Sequence, residues 1–221
     1  MVHAAHDAAQ TLRVTEVFLS LQGETSLTGL PTVFVRLTGC PLRCRWCDTE
    51  YAFSGGRARS IPELLDAVAA HAVGHVTVTG GEPLAQPGTH ALMTALADAG
   101  YDVSLETSGA MDIAAVDSRV RRIVDVKAPG SGETHRNLLS NLALLGPRDE
   151  VKFVLADRED YRWARGFVGT HDLSRAGGVL FSPVYGELEP RTLADWIVAD
   201  HLPVRMQIQL HKLLWGDEPG R

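Results

Sequence analysis

The chain is poor in cysteine, has no excess of positive charge and contains no long apolar run. Cys40, Cys44 and Cys47 are the only thiols in 221 residues. Three thiols cannot complete a disulfide framework, and their crowding suits a reducing compartment. Basic residues number 21 against 27 acidic ones, a formal charge of −6, which argues against a nucleic-acid backbone as the main partner. No stretch approaches the roughly 18 apolar residues of a membrane span. The opening MVHAAHDAAQ lacks the basic-then-apolar order of a secretory leader. The expectation is a soluble, cytoplasmic protein that handles a small molecule with a cofactor. Repeats, low-complexity tracts and Pro/Ser-rich linkers are also missing. A flexible segment at 1–12 followed by one domain over 13–221 is therefore expected.

What is present is 45% apolar, enough for a substantial core, and it alternates strands with helices. Strands are predicted at 12–20, 32–39, 75–80, 101–109, 121–130, 150–156, 178–186 and 205–212. Helices are predicted from Ser60, near 88–99, around 134–145, near 158–168, and through Leu193, Trp196 and Ile197. Ser60 with Glu63 forms a capping box, and Ile61, Leu64, Leu65 and Val68 share one helical face. The stretch TEYAFSGGRAR is expected to be irregular. Strands separated by helices imply parallel pairing through right-handed crossovers. The units are too few for an eight-fold barrel, so the fold class is α/β, an open, partial β/α barrel.

In such folds function gathers at the C-terminal strand ends. The sequences there are TGGEP (79–83), ETSG (106–109), KAPGSGE (127–133), SPVYG (182–186) and QLHK (209–212). Each is polar or Gly-rich directly after an apolar strand.

The thiols are spaced Cys-x3-Cys-x2-Cys in GCPLRCRWCDT. Disulfides across two or three residues are strained. A structural zinc needs four ligands, for which His71 or His75 would have to be recruited. An iron–sulfur cube normally takes four thiolates; with three, one iron keeps positions open for a reactant. The three-cysteine cluster is favoured over zinc and over redox or structural thiols.

This spacing, with Trp46 before the last cysteine and GGEP downstream, resembles the radical S-adenosylmethionine superfamily. The resemblance implies a [4Fe-4S] cluster on Cys40, Cys44 and Cys47, with S-adenosylmethionine on the open iron. It also implies that Gly80, Gly81 and Glu82 contact the methionine amino group and that Trp46 lies near the adenine. Lys127, Ser131 and Ser182, at later strand ends, would hold the ribose and carboxylate. The bland readings are a helix N-terminal carboxylate for Glu82 and a plain Gly-rich turn for KAPGSGE.

VFLSLQGE (17–24), PTVFVRLTGCPLRCRWCDTEYAF (31–53), the strand ends and QLHK, in this order, are similar to the 7-carboxy-7-deazaguanine synthase family. That resemblance implies a pterin substrate, 6-carboxy-5,6,7,8-tetrahydropterin, and substrate contacts from Leu21, Gln22, Gly23, Glu24, Thr79, Glu106 and His211. Arg36, a charge in an apolar strand, needs an anionic partner. The substrate carboxylate is one choice and an ion pair with Glu24 or Glu106 the other. A magnesium ion is implied on the Thr49 hydroxyl, with Asp48 as a supporting carboxylate; otherwise Asp48 caps the following turn. The family further implies an electron donor such as flavodoxin, a homodimer, and in some members a C-terminal residue, here Arg221, folded over the pocket. The competing expectations are a glycyl-radical activating enzyme and a zinc-binding module.

Overall fold

A computed structural model describes residues 11–216, Glu218 and Gly220. Most of the segment expected to be flexible lies outside the described residues, as does Arg221. Thr11 and Leu12 already belong to the first strand.

β1 (Thr11–Leu21) and β2 (Pro31–Leu37) pair antiparallel, with Leu21 opposite Pro31. β3 (Arg57–Ser60) joins the other side of β1, also antiparallel. This strand falls within the stretch expected to be irregular. Arg-Ala-Arg-Ser has no β signature, and its charges suit an exposed sheet edge. Ser60 then opens α1 (Ile61–Ala69) with the expected capping box, Ser60 N–H donating to Glu63 Oε2 at 2.7 Å. Such a cap contributes about 1 kcal/mol. Ile61, Leu64 and Val68 are buried beneath it.

β4 (His75–Gly80), α2 (Thr89–Asp98), β5 (Asp102–Thr107) and β6 (Arg121–Asp125) follow. Next come β7 (Glu150–Leu155), α3 (Arg158–Thr170), β8 (Gly178–Pro183), α4 (Pro190–Ala199), β9 (Arg205–Met206) and α5 (Leu210–Trp215). The strand order is β3-β1-β2-β4-β5-β6-β7-β8-β9. From β2 onward every neighbour pairs in parallel, so the antiparallel edge at β1 and β3 departs from the all-parallel expectation. The sheet ends at two edges and is open, as expected. The sheet face that packs on the helices is the core: Val33, Val35, Val76, Val78, Leu105, Val151 and Phe153 are at most 1% exposed.

Two expected elements differ. The 134–145 stretch is not an α-helix but short 3-10 turns at Thr134–Arg136 and Leu139–Leu144. Asn137 bonds both the N–H and the C=O of Lys127, and Asn141 donates to the carbonyls of Gly109 and Met111. These amides tie the segment to the strand ends and replace a helical ladder. The strand expected over 205–212 stops at Met206. Gln207 instead accepts from Thr25 N–H, Leu210 N–H bonds the Gly23 carbonyl, and QLHK opens α5.

Candidate active site

The strand ends and the cysteine loop surround one cavity of about 710 Å³. All the site residues singled out from the sequence line it except Glu82, Ser131 and Ser182.

The cysteine loop follows β2. Gly39 N–H bonds the Ala52 carbonyl at 2.7 Å and the Gly39 carbonyl accepts from Glu82 N–H at 2.8 Å, so the loop is pinned to itself and to the GGEP turn. All three thiols are free and partly exposed. They fit a cluster: three unpaired sulfurs on one short loop, facing a common space. Among the described residues no three His, Cys, Asp or Glu side chains converge on a single ion. A cube asks something different, a separate iron for each thiolate.

Gly81 has a packing reason within the protein. A Cβ there would lie 2.4 Å from the Gly39 carbonyl oxygen and 2.6 Å from Cys40 Cβ. Glycine at 81 lets the cysteine loop sit against the end of β4. Glu82 is fully buried behind this contact. It accepts from Leu84 N–H at 2.9 Å, Ser108 N–H at 2.7 Å, and the hydroxyls of Thr107 and Ser108. Its observed bonds therefore lock GGEP to the end of β5. Ser131 is likewise buried; its hydroxyl bonds Ala128, and its carbonyl accepts from Arg45 N–H of the cysteine loop. Ser182 Oγ is buried with no partner among the described residues.

On the near wall, Arg36 Nε bonds Glu16 at 2.7 Å, a partner not anticipated from the sequence. Tyr51 O–H donates to the same oxygen, and the guanidinium lies over the rings of Phe18 and Tyr51. Burial pushes the Tyr51 phenol up to about 12, helped by this bond to Glu16.

The far wall is a buried charge network. Lys152 Nζ lies 2.5 Å from Glu24 and 3.6 Å from Asp125, while Lys127 reaches Asp125 at 3.1 Å. Burial alone would raise the Glu24 carboxyl, but the Lys152 ammonium and hydrogen bonds from Lys152 and Gln209 bring it down to about 2. Glu106 goes the other way: burial, with Glu24 nearby, pushes its carboxyl up against the pull of Lys152. Gln22 donates to Glu106 at 3.1 Å, and Thr79 does so at 3.4 Å. His211 packs on Gly23, where a Cβ would stand 2.1 Å from Nδ1. Burial holds its imidazole below the ordinary value, against the pull of Glu24 and Asp48. Thr49 Oγ1 is 3.8 Å from Cys47 Sγ, and Asp48 accepts from Gln209 at 3.4 Å.

Asp125 and Lys152 were not singled out from the sequence. A signal was there for Lys152, a cation between the apolar Val151 and Phe153; Asp125 follows Ile123 and Val124 but shares its strand with Arg121 and Arg122.

This open α/β sheet with a three-cysteine loop after its second strand defines a radical S-adenosylmethionine enzyme, and residues 34–129 match the radical SAM superfamily. The chain is 47% identical to the 7-carboxy-7-deazaguanine synthase of Chlorobaculum tepidum over 94% of this chain and 96% of that one. It is 44% identical to that of Koribacter versatilis, over 94% and 98%. The fold is similar to the crystal structure of QueE from Escherichia coli: TM-score 0.75, 24% identity, covering 91% of this chain and 95% of that one. The chain belongs to the 7-carboxy-7-deazaguanine synthase family.

Proposed function

We propose that the chain converts 6-carboxy-5,6,7,8-tetrahydropterin to 7-carboxy-7-deazaguanine by hydrogen abstraction at C6, ring contraction and loss of ammonia. The observation that carries this reading is the meeting of Cys40, Cys44 and Cys47 with Glu24, Arg36 and His211 on one cavity, in a chain whose relatives bear that synthase name. The same names favour it over a glycyl-radical activating enzyme.

Cys40, Cys44 and Cys47 would hold the [4Fe-4S] cluster, and Gly80, Gly81, Trp46 and Lys127 line the space beside it for S-adenosylmethionine. When bound and reduced, these groups supply a hydrogen-abstracting adenosyl radical. The chain's own residues bind and orient. Glu16 occupies Arg36 Nε, leaving the terminal nitrogens of the fork for the substrate carboxylate. Glu24, held ionised, accepts N–H groups of the pterin edge, while Gln22, Gly23, Leu21, Thr79, Glu106 and His211 complete the surround. Thr49 and Asp48 offer hard oxygens for magnesium, an ion that takes few protein ligands and fills its octahedron with water and substrate. The buried Glu82, Ser131 and Ser182 serve this site from behind its wall.

The reading includes a single domain over 13–221, supported by the one continuous sheet. It also includes a homodimer, a reducing cytoplasmic setting supported by the free thiols, and an external donor such as flavodoxin. No helix among the described residues is long and apolar enough to cross a membrane. The test is anaerobic incubation of reduced, reconstituted protein with S-adenosylmethionine, magnesium and the carboxypterin. Deazapurine absorbance is expected; deoxyadenosine without deazapurine defeats the substrate assignment.

A further inference from the structure

Lysine is scarce in this chain. Only Lys127, Lys152 and Lys212 occur among its 21 basic residues, and all three line the cavity. Every other cationic side chain of that count is arginine. An ammonium differs from a guanidinium in being a compact charge with three donors, free of a planar fork. It suits a place where one cation serves two carboxylates at different angles.

Lys152 occupies such a place. It lies in β7 between Val151 and Phe153, both fully buried. Its ammonium reaches Glu24 Oε2 at 2.5 Å and Asp125 Oδ2 at 3.6 Å. Lys127 takes the same Asp125 oxygen, and Asp125 Oδ1 is buried with no partner among the described residues. Among the described residues Glu24 has two side-chain donors, Lys152 on one oxygen and Gln209 on the other at 2.9 Å. Beyond these, His211 of α5 and Glu106 of β5 lie close enough to act on its charge, Asp125 of β6 shares Lys152 with it, and Asp48 shares Gln209. A buried carboxylate that loses its cation among acidic neighbours takes up a proton. A protonated Glu24 no longer presents two acceptor oxygens.

Resting on the reading in which Glu24 accepts from the pterin edge, we propose that Lys152 is the positioning residue that keeps Glu24 charged and aimed at the substrate's N–H donors. Lys152 then touches no reacting atom. It acts through Glu24, and the two form one unit for substrate binding.

The experiment is a double-mutant cycle on the reconstituted enzyme with Lys152→Met, Glu24→Gln and the pair combined. Lys152→Met should raise the pterin KM at least about tenfold at neutral pH, the equivalent of about one displaced pKa unit, with kcat changed less. Its KM should then fall as pH rises, because Glu24 regains its carboxylate. The wild type should lack that slope, since its Glu24 titrates at about 2. The double variant should match Glu24→Gln within about twofold, because coupled residues are not additive. Lys152→Arg keeps a cation and should keep the flat profile. Cluster absorbance should be equal throughout.

A wild-type KM in Lys152→Met, a raised KM without pH slope, or effects that multiply in the double variant would overturn the proposal. Infrared spectra add a readout without turnover: a protonated-carboxyl band in Lys152→Met that exceeds the band of the double variant, which keeps Glu106 and Asp125 but lacks the Glu24 carboxyl. A missing excess sinks the proposal by itself. Wild-type protein that makes no deazapurine sinks instead the reading beneath it, and the infrared result still decides the charge of Glu24.

Discussion

The two walls of the cavity are built on different principles. The cysteine loop is shaped by backbone: Gly39 bonds Ala52, Glu82 N–H bonds Gly39, and Arg45 N–H bonds Ser131. Space reserved by Gly81 lets it dock. The opposite wall is shaped by charge: Lys152 of β7 and Asp125 at the end of β6 are joined by side-chain ion pairs to Glu24, in the loop after β1, and to Lys127, just past β6. A backbone-shaped wall fails by displacement. A charge-shaped wall keeps its geometry and changes its ionisation.

Substitutions can separate these behaviours. The largest effect is expected from Cys44→Ala, which removes one thiolate from the loop; brown absorbance and turnover should both fall to background. A brown, active variant would mean that the loop does not hold the cluster. Gly81→Ala should come next. Its added Cβ meets backbone atoms of the loop, which cannot step aside as a flexible side chain would. Overpacking of this kind costs about 1–3 kcal/mol, readable as a lower thermal midpoint together with reduced iron content. Normal iron content with only a KM change would blur the distinction between the walls. Thr49→Ala is the mildest: half-saturating magnesium should rise about tenfold with cluster absorbance unchanged. Loss of absorbance there would show that the Thr49 hydroxyl supports the loop itself.

The same contrast explains what could be read from the sequence. GCPLRCRWCDT and TGGEP are contiguous stretches in which chemistry and backbone need coincide, so spacing alone exposes them. The open parallel sheet was legible because apolar strands and amphipathic helices alternate. The charged wall was only half legible. Arg36, Glu24 and Glu106 stood out, but Asp125 and Lys152 lie on separate strands and become partners only when β6 and β7 pair. The 134–145 stretch has a helical composition, and only its tertiary bonds through Asn137 and Asn141 reveal why it does not wind up. QLHK was expected to end a strand, because its docking against Gly23 is invisible in local pattern.

That docking has a consequence for biogenesis. Glu24 and Gln209 are separated by 185 residues, and Thr25 and Gln207 by 182. Contacts this remote form late and slow folding. During synthesis the cysteine loop emerges early, while the turn at 22–25 gains these partners only when the final helix has been made. A chain lacking the residues from 207 onward therefore keeps its cysteine loop but lacks the side chains that hold Glu24 and Thr25 in place.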